Sequence, residues 1–123
     1  MKIINSTKAP AAIGTYSQAT LKNGILFISG QLGINVETGN LEDTFEKQAE
    51  LVFQHLGNIL TEAKMSFANV VKVSVFVKDI GNFATFNTIY AKYFQQPYPA
   101  RELIEVKDLP RHGDVEVSLI AME

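Results

Sequence analysis

Residues 70–77 read Val70-Val71-Lys72-Val73-Ser74-Val75-Phe76-Val77, a run that favours a β-strand because β-branched and aromatic side chains predominate in it. Successive side chains of a strand point to opposite faces of a sheet. One alternating set of this run is entirely valine, whereas the other carries Val70 and Phe76 around Lys72 and Ser74. Strands that are apolar in both sets are usually covered on both faces. We therefore expect this strand to lie in a sheet with a partner layer on each side.

A second run has the same property. In Ile25-Leu26-Phe27-Ile28-Ser29-Gly30 both alternating sets are apolar, and the preceding pair Asn23-Gly24 is a hairpin signal. Hydrophobic patterning of the remaining sequence adds further strands. The strands expected in all are at about 2–5, 19–22, 25–30, 70–77, 100–106 and 114–121.

Two amphipathic helices are expected, at about 44–64 and 82–94. In the first, apolar residues recur at spacings of three and four, namely Phe45, Ala49, Val52, Phe53, Leu56, Ile59, Leu60 and Ala63. Asp43 followed by Glu46 resembles a capping box at its start. The second helix has a stripe of Phe83, Phe86, Tyr90 and Phe94, with Asp79 or Asn82 as the expected N-cap.

Two helices among six strands predict an α+β fold with both helices on one face of the sheet, in a single domain spanning residues 1–123. The strands at 25–30 and 70–77 are apolar on their other face as well. With both helices already placed, the simplest cover for that face is another subunit. The sequence therefore predicts an oligomer.

The same alternation sorts the polar residues of the sheet. If the valine sets face the helices, the polar residues collect on the second face, and these are Ser29, Lys72, Ser74, Arg101, Glu105, Glu116 and Ser118. Polar groups on a covered face need partners. We therefore expect a ligand site between subunits.

Composition excludes several classes of function. The net charge is −2 and lysines and arginines are scattered singly, so no basic stripe is available for nucleic acid or an anionic membrane. The absence of cysteine excludes disulfides, thiolate metal sites and a cysteine nucleophile. The N-terminus is polar by Asn5 and no run reaches transmembrane length, so we expect a cytoplasmic protein.

The remaining short motifs favour structural roles. Gly30-Gln31-Leu32-Gly33 lacks the spacing and the ending of a phosphate loop. His55 and His112 are isolated, so neither a metal site nor a Ser-His-acid constellation is expected, and both are interpreted as structural or solvated. Tyr16 by itself is interpreted as a packed aromatic residue.

Arg101 follows Pro97 and Pro99 at the start of an apolar strand, so its backbone is presented at a defined place. A guanidinium held in this way suits bidentate capture of a carboxylate or phosphate. The alternative is an ordinary salt bridge at the strand edge. This segment alone leaves both interpretations open.

Five segments together resemble the RidA (reactive intermediate deaminase, YjgF) family in order and spacing. They are Ala9-Pro10-Ala11-Ala12-Ile13-Gly14-Thr15-Tyr16-Ser17-Gln18, Ile28-Ser29-Gly30-Gln31, Val70 to Asp79, Phe83 to Tyr90, and Tyr98-Pro99-Ala100-Arg101. Leu109-Pro110 through Val115-Glu116-Val117 continues the match, so the resemblance covers essentially the whole chain.

The resemblance implies a chorismate-mutase-like fold with a mostly antiparallel sheet, and a homotrimer with clefts between subunits. It also implies hydrolysis of reactive enamines and imines, such as 2-aminoacrylate, to 2-oxo acids and ammonia, with no cofactor. The family's carboxylate-binding arginine falls on Arg101, its tyrosine on Tyr16, its serine on Ser29 and its helix asparagine on Asn87. Gly30 and Leu103 are expected to complete the ligand pocket.

The chain departs from the family pattern at one chemically important position. The glutamate assigned to the attacking water corresponds to Ser118, and serine is not a base at neutral pH without help. Two smaller departures are Leu103 in place of a cysteine and Thr15 in place of a proline. Glu105 or Glu116 is a candidate substitute for the missing glutamate.

Three functions follow from these observations. The first is an imine or enamine deaminase in which Arg101 binds the carboxylate and residue 118 belongs to the catalytic set. The second is a non-catalytic regulator that binds a 2-oxo acid or amino acid through Arg101. RNA cleavage, attributed to some members of the family, is disfavoured by the acidic net charge and the lack of a histidine pair.

Overall fold

A computed structural model describes all residues from Met1 to Glu123. Its strands are β1 (Lys2–Ile4), β2 (Ala19–Lys22), β3 (Ile25–Leu32), β4 (Val70–Val77), β5 (Ala100–Glu105) and β6 (Val115–Met122). Its helices are α1 (Phe45–Glu62) and α2 (Phe83–Tyr90). The expected α+β class, with two helices and six strands, is confirmed. Neither helix combines the length and the apolarity needed to cross a membrane.

The strands form one mixed sheet in the order β1-β2-β3-β6-β4-β5. Only β4 and β5 are parallel, and every other neighbouring pair is antiparallel. Helix α2 lies in the connection between β4 and β5, because parallel strands require a crossover. This order makes β5 one edge of the sheet and β1 the other.

The core lies between the helices and one face of the sheet. On β4 the inward side chains are Val73, Val75 and Val77, all fully buried. On β6 the odd-numbered residues from Val115 to Ala121 face the same way. The apolar stripe of α1 packs onto them, as its periodicity predicts. Val71 departs from the valine set, because an irregularity between Val70 and Lys72 turns Val70 into the core and leaves Val71 43% exposed.

The second face of the sheet has no cover within this chain. Its apolar side chains include Phe27 on β3, Ile104 on β5 and Met122 on β6, which are 47%, 46% and 43% exposed. The alternate residues Leu26 and Ile28 of β3 are buried against the helices. A broad apolar surface of this kind is typical of an interface.

The strand β5 corrects one prediction from alternation. Its parallel register pairs Arg101 with Val73, Leu103 with Val75 and Glu105 with Val77. Directly paired residues share a face, so these three side chains lie on the helix face and not on the second face. The expectation that Arg101 and Glu105 share a face with Ser118 is therefore wrong. Both alternating sets of β5 mix polar and apolar residues, so only the hydrogen-bonded register to β4 orients the strand.

The N-terminus of α1 differs from the expected capping box. Thr44 is the N-cap, and its hydroxyl accepts a hydrogen bond from the backbone N–H of Lys47 at 3.2 Å. Asp43 instead forms an ion pair with the Lys47 side chain at 3.2 Å. Thr44 is therefore the residue that caps the N-terminus of α1.

The end of α2 also differs from the sequence pattern. The helix stops at Tyr90, and Phe94 nevertheless packs in the core with its ring centroid 4.3 Å from that of Tyr90. Aromatic spacing thus continues past the helix and overstates its length. Asp79 caps the short 3-10 turn at 80–82, and Asn82 makes no side-chain capping bond.

Candidate functional site

Arg101 stands at the outer edge of the sheet with its side chain directed toward α2. Its guanidinium carbon lies 4.6 Å from the centroid of the Tyr90 ring and 5.8 Å from that of Phe86. None of the five ion pairs of the structure involves Arg101. The salt bridge at the strand edge is therefore absent. A half-buried guanidinium stacked on an aromatic ring retains its N–H fork for an external anion.

Tyr90, which its helical spacing predicts only as a core residue, lies against the functional guanidinium. It is 7% exposed, and its hydroxyl is buried without a hydrogen-bond partner. Burial raises the pKa of the Tyr90 hydroxyl, and the positive charge of Arg101 partly offsets that rise. The signal in the sequence was the pair Phe86 and Tyr90, four residues apart on the helix that precedes β5.

Asn87 and Leu103 lie on the same two elements as Arg101 and its aromatic support. Asn87 is half-buried on α2, between the two aromatic residues that contact the guanidinium. Leu103 follows Arg101 by two residues, so it shares the helix face, and it packs against the core. Arg101, Asn87 and Leu103 form the first group of the candidate site, which we call the arginine group.

Tyr16 and Gly30 belong to a different part of the molecule. They line an open groove of about 720 Å³ together with the N-terminal segment, the loop at 34–36 and the turn at 110–111. Tyr16 is 55% exposed, so it is not the packed aromatic residue that its sequence context suggested. Ser29 fixes this region, because its hydroxyl donates to the carbonyl of Ser17 at 2.6 Å.

Buried Gln18 holds the N-terminal segment that forms one wall of the groove. Its side-chain amide donates to the carbonyls of Ser6 and Pro10 at 3.0 and 2.9 Å, and its carbonyl oxygen accepts from the Ser6 N–H at 2.8 Å. These hydrogen bonds fix the segment next to Tyr16, although Tyr16 itself lies in no helix or strand. Tyr16, Ser29 and Gly30 are the second group of the candidate site, the tyrosine group.

Ser118 lies on the second face of the sheet, on β6. It pairs with Ser74 of β4, which in turn pairs with Glu102 of β5. Glu102 forms an ion pair with Lys72 at 2.8 Å, and hydrogen bonds from Lys72 and Ser74 lower the pKa of its carboxyl. Ser118 therefore lies beside Ser74, near the ion pair of Lys72 and Glu102, and has no activating histidine beside it.

Glu116, two residues earlier on β6, is half-buried on the same face. A Cβ atom added to Gly30 would lie 2.7 Å from the Glu116 Cδ atom, so the carboxyl sits directly over this glycine. Burial raises the pKa of the Glu116 carboxyl. Glu105, by contrast, is exposed on the helix face and accepts a hydrogen bond from the Ile80 N–H at 2.9 Å.

The two groups are far apart within one chain. Strands β3 and β5 are separated by β6 and β4, which amounts to three strand spacings or about 14 Å. Arg101 also lies on the helix face, whereas Glu116 and Ser118 lie on the second face. One chain therefore carries the components of a site without bringing them together.

Each of the two histidines contacts a group of the protein's own scaffold. His55 is buried, its Nε2 atom lies 2.7 Å from the Ile34 carbonyl oxygen, and burial lowers its pKa. The exposed His112 pairs with Asp108 at 2.9 Å. No three His, Asp and Glu side chains come together as metal ligands would.

Known proteins agree with this architecture. Residues 6–123 match the family model described as Endoribonuclease L-PSP. A Bos taurus protein named 2-iminobutanoate/2-iminopropanoate deaminase is 44% identical, over 99% of this chain and 90% of its own length. The crystal structure of RidA from Psychrobacter superposes with a TM-score of 0.96 at 41% identity over the full length of both chains. Escherichia coli TdcF with bound serine gives a TM-score of 0.95 at 33% identity, over 100% and 99% of the two chains. The chain belongs to the RidA (YjgF) family.

Proposed function

We propose that this protein hydrolyses small 2-imino and 2-enamino acids of the 2-aminoacrylate type to 2-oxo acids and ammonia. The observation that carries the proposal is the unpaired guanidinium of Arg101, stacked on Tyr90 at the edge of the sheet. A fixed, unneutralised fork of N–H donors suits the carboxylate that all such substrates have. The deaminase named among the relatives supports the reaction class.

The active assembly in this proposal is a homotrimer with the ligand in a cleft between subunits. Two features support it: the uncovered apolar second face, and the separation of the arginine group from the tyrosine group within one chain. The exposed edge strand β5 carries Arg101, so a neighbouring copy placed against that edge brings its own Tyr16 and Gly30 to the guanidinium. Burial of Phe27, Ile104 and Met122 would stabilise the assembly at roughly 25 cal/mol per Å² of apolar surface.

The reaction asks little of the protein. Protonation of an enamine at C3, or of an imine at nitrogen, gives the same iminium ion, and its C2 carbon is already electrophilic. Water bonds to C2 through oxygen as the C=N π electrons move onto nitrogen, and the water gives up one proton. Protonation of the resulting amine and loss of the hydroxyl proton then break the C–N bond and form the C=O bond, which releases ammonia. Anchoring the carboxylate supplies proximity, and a nearby acid–base group supplies the proton transfers.

A second function shares the binding half of this scheme. A regulator that binds a 2-oxo acid or amino acid needs Arg101 but no proton carrier, and Ser118 in place of glutamate favours it. The serine bound by E. coli TdcF supports an amino-acid-sized carboxylate ligand for this fold. The two functions differ in turnover and not in binding.

The deciding measurement is the rate of 2-oxo acid release from an enamine generated by a dehydratase, with and without this protein. Wild type is expected to accelerate release, and Arg101→Ala to abolish both the acceleration and the binding of 2-oxobutanoate. The loss of a charge-assisted bidentate pair corresponds to about 1.5–3 kcal/mol or more, and Arg101→Lys should restore only part of it. Lys107→Ala, which removes one exposed positive charge shortly after β5, is the matched control and should behave as wild type.

Sedimentation equilibrium at micromolar concentration tests the assembly separately, with three chains expected. A monomer with full activity would contradict the cleft between subunits. Binding of 2-oxobutanoate without any turnover would favour the regulator. Undiminished binding by Arg101→Ala would remove the basis of both functions.

A further inference from the structure

Two irregular segments form walls of the groove that contains Tyr16. One is the N-terminal segment at 5–11, and the other is the loop at 34–36 that follows β3. Neither segment belongs to a helix or to a strand of the sheet, so contacts with the rest of the chain must fix them. The buried imidazole of His55, on α1, lies against the backbone of both segments.

The loop after β3 rests on α1 at two points. At the first, Gly33 approaches so closely that an added Cβ atom would lie 2.5 Å from the Gln48 Cα atom. At the second, the His55 Nε2 atom lies 2.7 Å from the Ile34 carbonyl oxygen. Gln48 and His55 are about two helical turns apart, so they lie on the same side of α1. The two contacts together fix both the position and the direction of the loop.

The chemistry of the imidazole determines which wall it holds. Burial lowers the pKa of His55, so the ring is neutral at pH 7 and carries one N–H. A carbonyl oxygen only accepts hydrogen bonds, so the short contact with Ile34 places that N–H on Nε2. The Nδ1 atom is buried without a hydrogen-bond partner. The Lys8 carbonyl is also near the ring, where it favours the protonated form. The neutral ring therefore donates to one wall and backs the other without a hydrogen bond.

The N-terminal wall has an anchor of its own. The Gln18 side-chain amide donates to the carbonyls of Ser6 and Pro10. The Ser6 hydroxyl accepts from the Lys8 N–H at 3.2 Å, so the segment turns around Ser6. This wall is fixed without an N–H from His55, whereas the loop at 34–36 depends on that N–H.

An apolar residue at position 55 would suit the core better than histidine. A buried imidazole with one unpartnered nitrogen is unfavourable, and the neighbouring positions of the stripe on α1 are apolar. His55 belongs to no metal-ligand cluster and pairs with no carboxylate. What the imidazole supplies, and leucine would not, is the N–H donor for the Ile34 carbonyl.

We propose that His55 is a positioning residue of the ligand site, whose Nε2–H holds the loop at 34–36 in the place that ligand binding requires. The inference rests on the proposed function, in which the groove of one chain meets Arg101 of a neighbouring copy. His55 is buried beneath the groove and contacts no reacting atom. Its loss should therefore weaken ligand binding and leave the chemical step unchanged.

The test compares His55→Leu with His55→Gln. The glutamine amide nitrogen can take the place of Nε2 and donate to the Ile34 carbonyl, whereas leucine fills the space and donates nothing. His55→Leu is expected to raise KM and the Kd of 2-oxobutanoate about 3- to 30-fold with kcat unchanged, the range for loss of one buried hydrogen bond. His55→Gln should restore most of the binding. Val52→Ala, which removes buried volume one turn earlier on α1 and does not line the groove, is the matched control and should keep the wild-type KM.

Two further measurements do not depend on turnover. Hydrogen exchange should become faster in His55→Leu at the amides that close the loop, those of Asn35, Gly39 and Glu42, and should stay slow in Val52→Ala. The ¹⁵N spectrum of the wild-type imidazole at pH 7 should show Nε2 protonated and Nδ1 unprotonated, with His112→Asn used to assign the signals. This spectrum needs no change at position 55, so it decides even where leucine prevents folding.

The outcomes separate this inference from the function on which it rests. Unchanged KM, Kd and loop exchange in His55→Leu overturn the inference and leave the proposed function standing. A His55→Gln variant as impaired as His55→Leu overturns it as well, and so does a wild-type ring protonated on Nδ1. A wild type that neither binds 2-oxobutanoate nor accelerates 2-oxo acid release overturns the proposed function, and loop exchange then decides separately whether His55 fixes the loop.

Discussion

The Tyr90→Leu variant tests two roles of the Tyr90 ring: it supports the Arg101 guanidinium, and it stabilises the core. The guanidinium carbon lies 4.6 Å from the centroid of the Tyr90 ring, and the ring is 93% buried. A desolvated contact of this kind contributes about 0.5–2 kcal/mol, or about a 2- to 30-fold weakening of carboxylate binding when the ring is lost. The smaller side chain should also cost about 1–3 kcal/mol of unfolding free energy. Calorimetric titration with 2-oxobutanoate and urea unfolding measure the two effects.

Two variants act as controls for this prediction. Phe94→Leu removes a ring that stacks on Tyr90 without contacting Arg101, so it should lower stability similarly and leave binding unchanged. Tyr90→Phe keeps the ring and removes a buried hydroxyl that has no partner, so its stability should equal that of wild type or exceed it by about 1 kcal/mol. Equal weakening of binding by Tyr90→Leu and Phe94→Leu would refute a specific role for the Tyr90 ring.

Two further predictions concern the scaffold around the groove. Gly33→Ala places a Cβ atom 2.5 Å from the Gln48 Cα atom, so backbone must move, and urea unfolding should show a loss of about 1–3 kcal/mol or more. Burial lowers the pKa of His55 in the folded state. At a pH below the ordinary histidine pKa of about 6.5, the unfolded chain therefore binds more protons than the folded chain. The His55 contribution is therefore complete above that pH and declines as the pH falls. A His55→Gln variant should lose less stability than wild type between pH 7 and 5, and parallel losses would contradict this assignment.

The sequence predicted the elements of this fold well wherever one face of an element is uniformly apolar. The strands at 19–22 and 70–77 have the expected bounds, because turn residues or polar segments limit them on both sides. The first helix was identified from a stripe of eight residues, and its bounds differ by only one or two residues. Alternation correctly places Val73, Val75 and Val77 of β4 and the valines of β6 on the helix face, and Val71 is the exception because of the irregularity beside Val70.

Alternation alone does not predict on which face of the sheet each side chain of β5 lies. Residues 100–105 offer one set with Arg101, Leu103 and Glu105 and another with Glu102 and Ile104, and each contains both charge and apolar surface. The parallel ladder to β4 decides between them, and a ladder is a long-range property that local sequence does not record. The aromatic support of Arg101 was missed for the same reason, since Tyr90 and Arg101 meet only after the crossover has formed.

The arrangement of the edge strand explains why binding, chemistry and assembly depend on one another in this proposal. An exposed edge is normally a liability, and β5 joins such an edge to a cation that needs an anionic partner. A neighbouring copy at that edge would cover the apolar side chains of the second face and bring the tyrosine group, with Glu116 behind it, to Arg101. Dissociation would then separate the tyrosine group from the carboxylate anchor without unfolding either chain. A regulator built on the same cleft would need only the anchor and the walls, so turnover, and not ligand binding, distinguishes a hydrolase from a binding protein here.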